Sequence, residues 1–175
     1  MEICKSAALM LVLSLPLLGC GSSGAADPVG GNAVVACNVL ALSGPEVPAT
    51  RVAAVAPVPA GGAIADGVYV LTSWKEYTGP AGETGPTPAG DHARELIQFE
   101  GSTTQANSNY SDGDGNGKDS PISETYVLSG TDIEFTINCG HTLGTEKFPY
   151  TSNGVTVQLF SVSPERVTIY EYTKE

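Results

Sequence analysis

The chain has 175 residues, which suits one domain with a tail, and it carries a formal net charge of -11. This charge makes nucleic acids and anionic lipid surfaces poor partners, because both are recognised by clustered Lys and Arg side chains. The 21 glycines and the 41% hydrophobic content are typical of a compact, turn-rich β fold and not of a disordered chain.

The N-terminal residues have the pattern of an export signal. A short polar start that contains Lys5 is followed by an apolar run from Ala7 to Leu18. The run has only about 12 residues, whereas a permanent membrane-spanning helix needs roughly 20. We therefore interpret residues 1–19 as a signal peptide.

A cleavage and lipidation motif closes this signal. The sequence Leu17-Leu18-Gly19-Cys20 resembles the bacterial lipobox. The resemblance implies cleavage before Cys20, attachment of diacylglycerol to its sulfur, and a membrane anchor of palmitate-like acyl chains, each buried methylene contributing about 0.8 kcal/mol. Gly21 follows where an aspartate would suggest the inner membrane, so we expect a lipoprotein of the cell envelope with the outer membrane favoured. The alternative is an ordinary secretory signal in which Cys20 is incidental.

The cysteines indicate a single disulfide. Cys4 leaves with the signal and Cys20 takes the lipid, so Cys37 and Cys139 remain in an oxidising compartment. We predict a bond between them, with two free thiols as the alternative.

The region between the lipid and the folded domain divides into two segments. Residues 20–35 are mostly Gly, Ser, Ala and Pro, and we predict a flexible lipid-anchored tether. Residues 36–65 contain more Val and several prolines, which cannot donate to a β-ladder. We predict an extended coil that packs on the folded domain and is held there by Cys37.

The remaining residues, 66–175, contain about eight short runs rich in β-branched and aromatic residues, and no helical period. Asn153-Gly154 and Ser129-Gly130 are typical hairpin turns, which favours pairing between consecutive strands. We predict an all-β fold in which antiparallel strands close into an up-and-down barrel. A two-sheet β-sandwich is the alternative. The runs are Gly67–Tyr77, Arg94–Glu100, Thr103–Tyr110, Ile122–Leu128, Asp132–Asn138, Lys147–Ser152, Val155–Phe160 and Arg166–Tyr172.

Two stretches of this region carry a family resemblance. Residues 65–73, ADGVYVLTS, look like the opening strand of lipocalin-like domains in uncharacterised bacterial lipoproteins. Residues 150–159, YTSNGVTVQL, and 167–174, VTIYEYTK, resemble their last three strands. The resemblance covers about Gly62 to Glu175 and implies a lipocalin-like β-barrel.

An acidic loop is the sharpest candidate for a metal site. Asp112, Asp114 and Asn116 are followed by Gly117, which matches the first half of a calcium loop. The second half does not match, because position twelve is Ser123. We therefore weigh weak calcium binding against a solvated turn that is rich in Gly and Asp for conformational reasons. No other cofactor is predicted.

No sequence motif indicates catalysis. His92 and His141 lie in predicted loops without the spacing that places two metal ligands together, so we expect exposed surface residues. The Gly-x-Ser-x-Gly elbow, the His-Glu-x-x-His pair, a phosphate-cradling loop and the dinucleotide fingerprint are all missing from the sequence. We expect a protein that is not an enzyme.

Aromatic residues of the predicted strands are candidates for lining a cavity, since a closed sheet of about eight strands has room for one small molecule. They could equally fill the interior as core. The strand register decides between these alternatives. The candidates are Tyr69, Trp74, Phe99, Tyr126, Phe135 and Tyr150.

Three functions remain open. The first is a lipid-anchored barrel that binds a small apolar ligand or has a structural role in the envelope. The second is a protein-binding module such as a hydrolase inhibitor, with contacts from the loops Thr78–Ala93 and Cys139–Glu146. The third is a calcium-dependent envelope or adhesion protein that depends on the acidic loop. A hollow interior of several hundred Å³ would support the first.

Overall fold

A computed structural model describes residues 37–111 and 117–175, in which ten strands and no helix are found. The predicted signal peptide, the predicted lipidation site Cys20, the predicted tether and the three predicted calcium ligands Asp112, Asp114 and Asn116 lie outside these residues. Nothing in the described part is a helix long and apolar enough to cross a membrane. The strands are β1 Val47–Val52, β2 Gly67–Tyr77, β3 Gly85–Pro86, β4 His92–Glu100, β5 Thr103–Ser111, β6 Ser120–Ser129, β7 Asp132–Cys139, β8 Gly144–Ser152, β9 Thr156–Val162 and β10 Val167–Lys174.

Eight of the strands close one sheet into a ring. Each strand from β4 to β10 pairs antiparallel with the next, and β2 pairs antiparallel with β4 on one side and β10 on the other. The predicted all-β antiparallel fold of about eight strands is thereby confirmed, in a single closed sheet and not in the two layers of the sandwich alternative. The turns also form as predicted: Gly130 and Gly154 lie at the β6–β7 and β8–β9 connections with φ of 63° and 82°.

Strand β1 differs from the coil predicted for residues 36–65. The second half of β2 has no partner on β4, and β1 fills this gap by pairing in parallel with Trp74–Tyr77. Val47 and Ala49 are buried there, and Val47 also pairs with Ala93 of β4. Local composition favoured coil because of the prolines, but the gap between two distant strands supplies both the hydrogen-bond partners and the apolar surroundings.

One end of the ring interior is filled with aromatic side chains. Tyr69 and Phe99 meet edge to face with ring centroids 5.4 Å apart, and Phe99 meets Tyr126 in the same way. Tyr150 is also buried in this core. The hydroxyl groups are satisfied by carbonyls of the covering loops: Tyr69 donates to Ala65 and Gly154, Tyr126 to Gly101, and Tyr150 to Gly62. We call this the closed end.

The N-terminal segment is attached to the outside of the ring. The predicted disulfide between Cys37 and Cys139 is present, with Cα atoms 5.3 Å apart. Asn38 is buried, and its Nδ2 donates to the carbonyl oxygens of Ala106 on β5 at 2.9 Å and Ile122 on β6 at 2.6 Å. Disulfide and amide together tie the start of the described chain to β5, β6 and β7.

Removing the disulfide should lower stability considerably. The bond joins residues 102 positions apart, and the chain-entropy model assigns about 4.7 kcal/mol to closing a loop of about 100 residues. The double variant Cys37→Ser/Cys139→Ser should therefore melt about 10 °C or more below the oxidised protein. Reduced wild-type protein is the control and should melt with the variant. Equal melting temperatures in oxidised and reduced protein would contradict this account.

Candidate ligand-binding site

The end of the ring opposite the tyrosine hydroxyls is hollow. A cavity of about 300 Å³ lies there, lined by residues from all seven strands β4 to β10. Small side chains create the space: along the inward face of β5, Ala106 and Ser108 precede Tyr110, and Ser161 faces them from β9. The interior is therefore filled at one end, whereas at the other end Ala106, Ser108 and Ser161 leave space between the larger side chains of the wall.

The cavity wall is mainly aromatic and aliphatic. Tyr110, Tyr170 and Tyr172 line it on one side, and Phe135 and Phe148 line it from β7 and β8. The two phenylalanine rings are in contact, with centroids 6.2 Å apart. A small apolar molecule in the cavity would contact these aromatic rings and displace water.

Glu95 places a carboxylate among these aromatic rings. Its Oε2 accepts hydrogen bonds from the hydroxyls of Tyr110 at 2.6 Å and Tyr172 at 2.9 Å. Burial raises the pKa of Glu95, while the two tyrosine hydrogen bonds act in the opposite direction by stabilising the carboxylate. The tyrosines themselves remain protonated donors, because burial and the neighbouring Glu95 raise the pKa of both.

Glu124 is a second carboxyl group on the same wall. It is 8% exposed and its Oε2 accepts a hydrogen bond of 2.9 Å from the hydroxyl of Thr104. Burial raises its pKa, the Thr104 hydrogen bond lowers it, and the negative charges of Glu146 and Glu95 raise it further. The negative charges of Glu146 and Glu95 thus oppose ionisation of Glu124.

The only tryptophan of the chain touches the cavity wall. Trp74 lies between Tyr110 and Tyr170, with ring centroids at 6.0 Å and 5.5 Å. Its buried Nε1 has no hydrogen-bond partner among the described residues. Since both neighbours line the cavity, the indole is positioned to report on what the cavity contains.

The wall is interrupted between β8 and β9. These strands pair only through Tyr150–Ser152 and Val157–Leu159, close to the closed end. Towards the hollow end they separate, and Glu146 and Ser161 line the cavity from the two separated parts and are exposed. The separation gives the cavity a side opening with a carboxylate on its edge.

The structure places the six aromatic candidates in different surroundings. Of these, Phe135 lines the cavity and Trp74 contacts its wall. The other four, Tyr69, Phe99, Tyr126 and Tyr150, pack in the core. The strand register determines which candidates line the cavity, because inward side chains of one strand lie at different distances from the closed end.

The residues that the sequence interpretation missed are Glu95, Glu124 and the tyrosines Tyr110, Tyr170 and Tyr172. A signal for the two acids was present. Glu95 is two and four positions from Ile97 and Phe99, and Glu124 is two positions from Tyr126. Residues at this spacing share one face of a strand, so each glutamate is a charged residue on an otherwise apolar face. A charge at such a position is costly unless it is paired or hydrogen-bonded, which makes it a candidate for function.

The other predicted features lie outside the cavity wall. His92 is half-buried near Glu46, with Nε2 and Oε1 3.7 Å apart, and His141 is exposed. In the described ranges no three acidic, histidine or cysteine side chains are grouped so that they could hold a metal ion. By strand order, the loops Thr78–Ala93 and Cys139–Glu146 both lie at the hollow end.

Comparison of the chain with protein-family models, with curated proteins and with solved structures finds no match in any of the three. The function is therefore inferred from the cavity.

Neutralising Glu124 should stabilise the protein at neutral pH. Its pKa is higher in the folded chain than in the unfolded chain, so its contribution to stability is full at acid pH and is lost as the pH rises through the folded pKa. Glu124→Gln keeps an acceptor for Thr104 and cannot ionise. The melting temperature of the variant should be a few degrees above that of wild type at neutral pH and equal to it at acid pH.

Thermal melts at both pH values test this. Glu134→Gln, on the exposed outer face of β7, is the matched control and should change little. A Glu124→Gln variant that melts below wild type at neutral pH would show that the ionised carboxylate stabilises the fold.

Proposed function

We propose that this chain is a non-enzymatic, lipid-anchored lipoprotein of the cell envelope that binds one small, largely apolar molecule inside its ring. The observation that carries the proposal is the hollow end. Its volume of about 300 Å³ is at the small end of the range for ligand sites, roughly 300–1,000 Å³, and its wall combines aromatic faces with a few polar groups. A volume of this size equals that of about ten water molecules in the liquid.

The architecture around the cavity suits binding. The closed end is packed and hydrogen-bonded, so the ring holds its shape without a ligand. A preformed site loses little conformational entropy when it is occupied. The opening between β8 and β9 supplies a route to the interior that leaves the packed end undisturbed.

The polar groups of the cavity support a binding role over a catalytic one. Glu95 is bonded to two tyrosine hydroxyls and Glu124 to a threonine hydroxyl. Among the described residues, neither carboxyl is hydrogen-bonded to a serine, cysteine or histidine that it could activate as a nucleophile or proton shuttle. The envelope location and the anchor rest on the lipobox resemblance of residues 17–20.

Filling the cavity should abolish binding of a neutral apolar dye. Ser108 faces the cavity from β5, and Ser108→Phe would place an aromatic ring in the empty space. We expect the wild-type protein to bind N-phenylnaphthylamine with a shift in Trp74 emission, and the variant to lose this binding while remaining folded. The control is Gln105→Phe, an exposed position on the same strand, which should bind as wild type. Equal binding by both variants would place the dye elsewhere.

Lipid attachment can be tested at Cys20. In a bacterial host supplied with labelled palmitate, the wild-type chain should incorporate label and fractionate with membranes, the outer membrane in particular. Cys20→Ser should lose both the label and the membrane association, because no thiol remains for the diacylglycerol. Cys4→Ser, within the predicted signal peptide, is the control and should retain both. A labelled Cys20→Ser chain would refute the anchor.

A further inference from the structure

The cavity is lined by acidic side chains and, among the described residues, by no basic ones. Three glutamates line it, Glu95, Glu124 and Glu146, and no Lys, Arg or His side chain of the described residues does. Glu95 on β4 and Glu124 on β6 both line the cavity, and the charge of Glu95 raises the pKa of Glu124. Two carboxyl groups on a mainly apolar wall are unfavourable to the empty protein, because their charged forms lose hydration without gaining a cationic partner.

The aromatic groups around these acids have a second property. The face of an aromatic ring attracts cations, and the attraction is stronger where water is excluded. Tyr172 and Tyr110 are in hydrogen-bond contact with Glu95, and Tyr170 is packed on Trp74 at the same wall. The carboxyl group of Glu95 is hydrogen-bonded to the hydroxyls of two tyrosines that line the cavity, so an ammonium group bound at this carboxyl would lie close to their rings.

We propose that the molecule bound in the cavity is a small organic cation: an amine with an aromatic or aliphatic body. This inference rests on the ligand-binding function proposed above. The ammonium group would bind among Glu95, Glu124 and the tyrosine rings, and the apolar body would contact Phe135 and Phe148. Glu146, exposed at the opening between β8 and β9, would attract the cation towards the entrance.

Proton release should accompany binding. Burial raises the pKa of Glu95 and Glu124, so these carboxyls retain their protons to higher pH in the empty cavity than ordinary glutamates do, whereas a bound cation favours the ionised carboxylates. The affinity for an amine should therefore rise with pH until both carboxyls are ionised in the empty protein. The titratable groups that face the cavity are Glu95, Glu124, Glu146, Tyr110, Tyr170 and Tyr172.

A ligand series that varies charge on a constant body tests the proposal. Phenethylamine, phenethyl alcohol and phenylacetate share an aromatic ring and are cationic, neutral and anionic at neutral pH. Isothermal titration calorimetry of the folded protein should show the amine binding about tenfold or more tighter than the alcohol, the difference between a charged and a neutral hydrogen bond. Phenylacetate should not bind detectably.

Neutral variants assign the selectivity to the two acids. Glu95→Gln and Glu124→Gln should each weaken amine binding about tenfold and alcohol binding much less, because the amine loses an oppositely charged partner and the alcohol does not. Glu134→Gln removes the same charge from the outer face of β7 and should bind the amine as wild type. If all three variants lose affinity equally, the overall charge and not the cavity attracts the amine, and the proposal fails.

The remaining outcomes separate this proposal from the function on which it rests. Equal affinity for amine and alcohol, or an amine affinity that does not rise with pH, would refute cation selection and leave the apolar site intact. Binding of N-phenylnaphthylamine without any amine binding would have the same meaning. A cavity that takes neither the dye nor the amine would refute both proposals.

Discussion

The pairing of β10 with β2 is the contact on which the rest of the structure depends. It joins the last strand of the chain to the first strand of the ring, from Tyr69 opposite Lys174 to Tyr77 opposite Val167. Without it the eight strands would form an open sheet with two unpaired edges and no interior. The pairing also brings Tyr172 to Glu95 and Tyr170 to Trp74, and these contacts build the cavity wall.

The two ends of the ring interior have different roles, since one stabilises the fold and the other contains the proposed binding site. At the closed end, aromatic rings bury large apolar areas and donate their hydroxyls to loop carbonyls, which favours folding at little polar cost. At the hollow end, small residues leave space and two glutamates are held away from bulk water. Such a site by itself destabilises the folded state, and the packing at the closed end offsets this cost. Functional sites commonly have this relation to stability.

The N-terminal part of the described chain is attached to the ring at several points. The Cys37–Cys139 disulfide and the Asn38 amide attach it to β5, β6 and β7, and β1 completes the wall between β2 and β4. These contacts join positions far apart in sequence. The segment is therefore part of the fold, although its composition resembles that of a linker.

Local pattern was sufficient for the elements of the ring. Alternating residues and Gly-containing turns predicted its eight strands and their antiparallel order, and elimination among four cysteines predicted the disulfide. Strand β1, and the position of each inward side chain along the ring axis, could not be predicted from the sequence, because both depend on contacts with strands that are distant in the chain. For the same reason Tyr69 and Phe135 were equivalent in sequence, yet Tyr69 lies wholly within the core whereas Phe135 also lines the cavity. Residue order determines which face a side chain takes in a strand, but only ring closure decides whether that face meets another side chain or empty space.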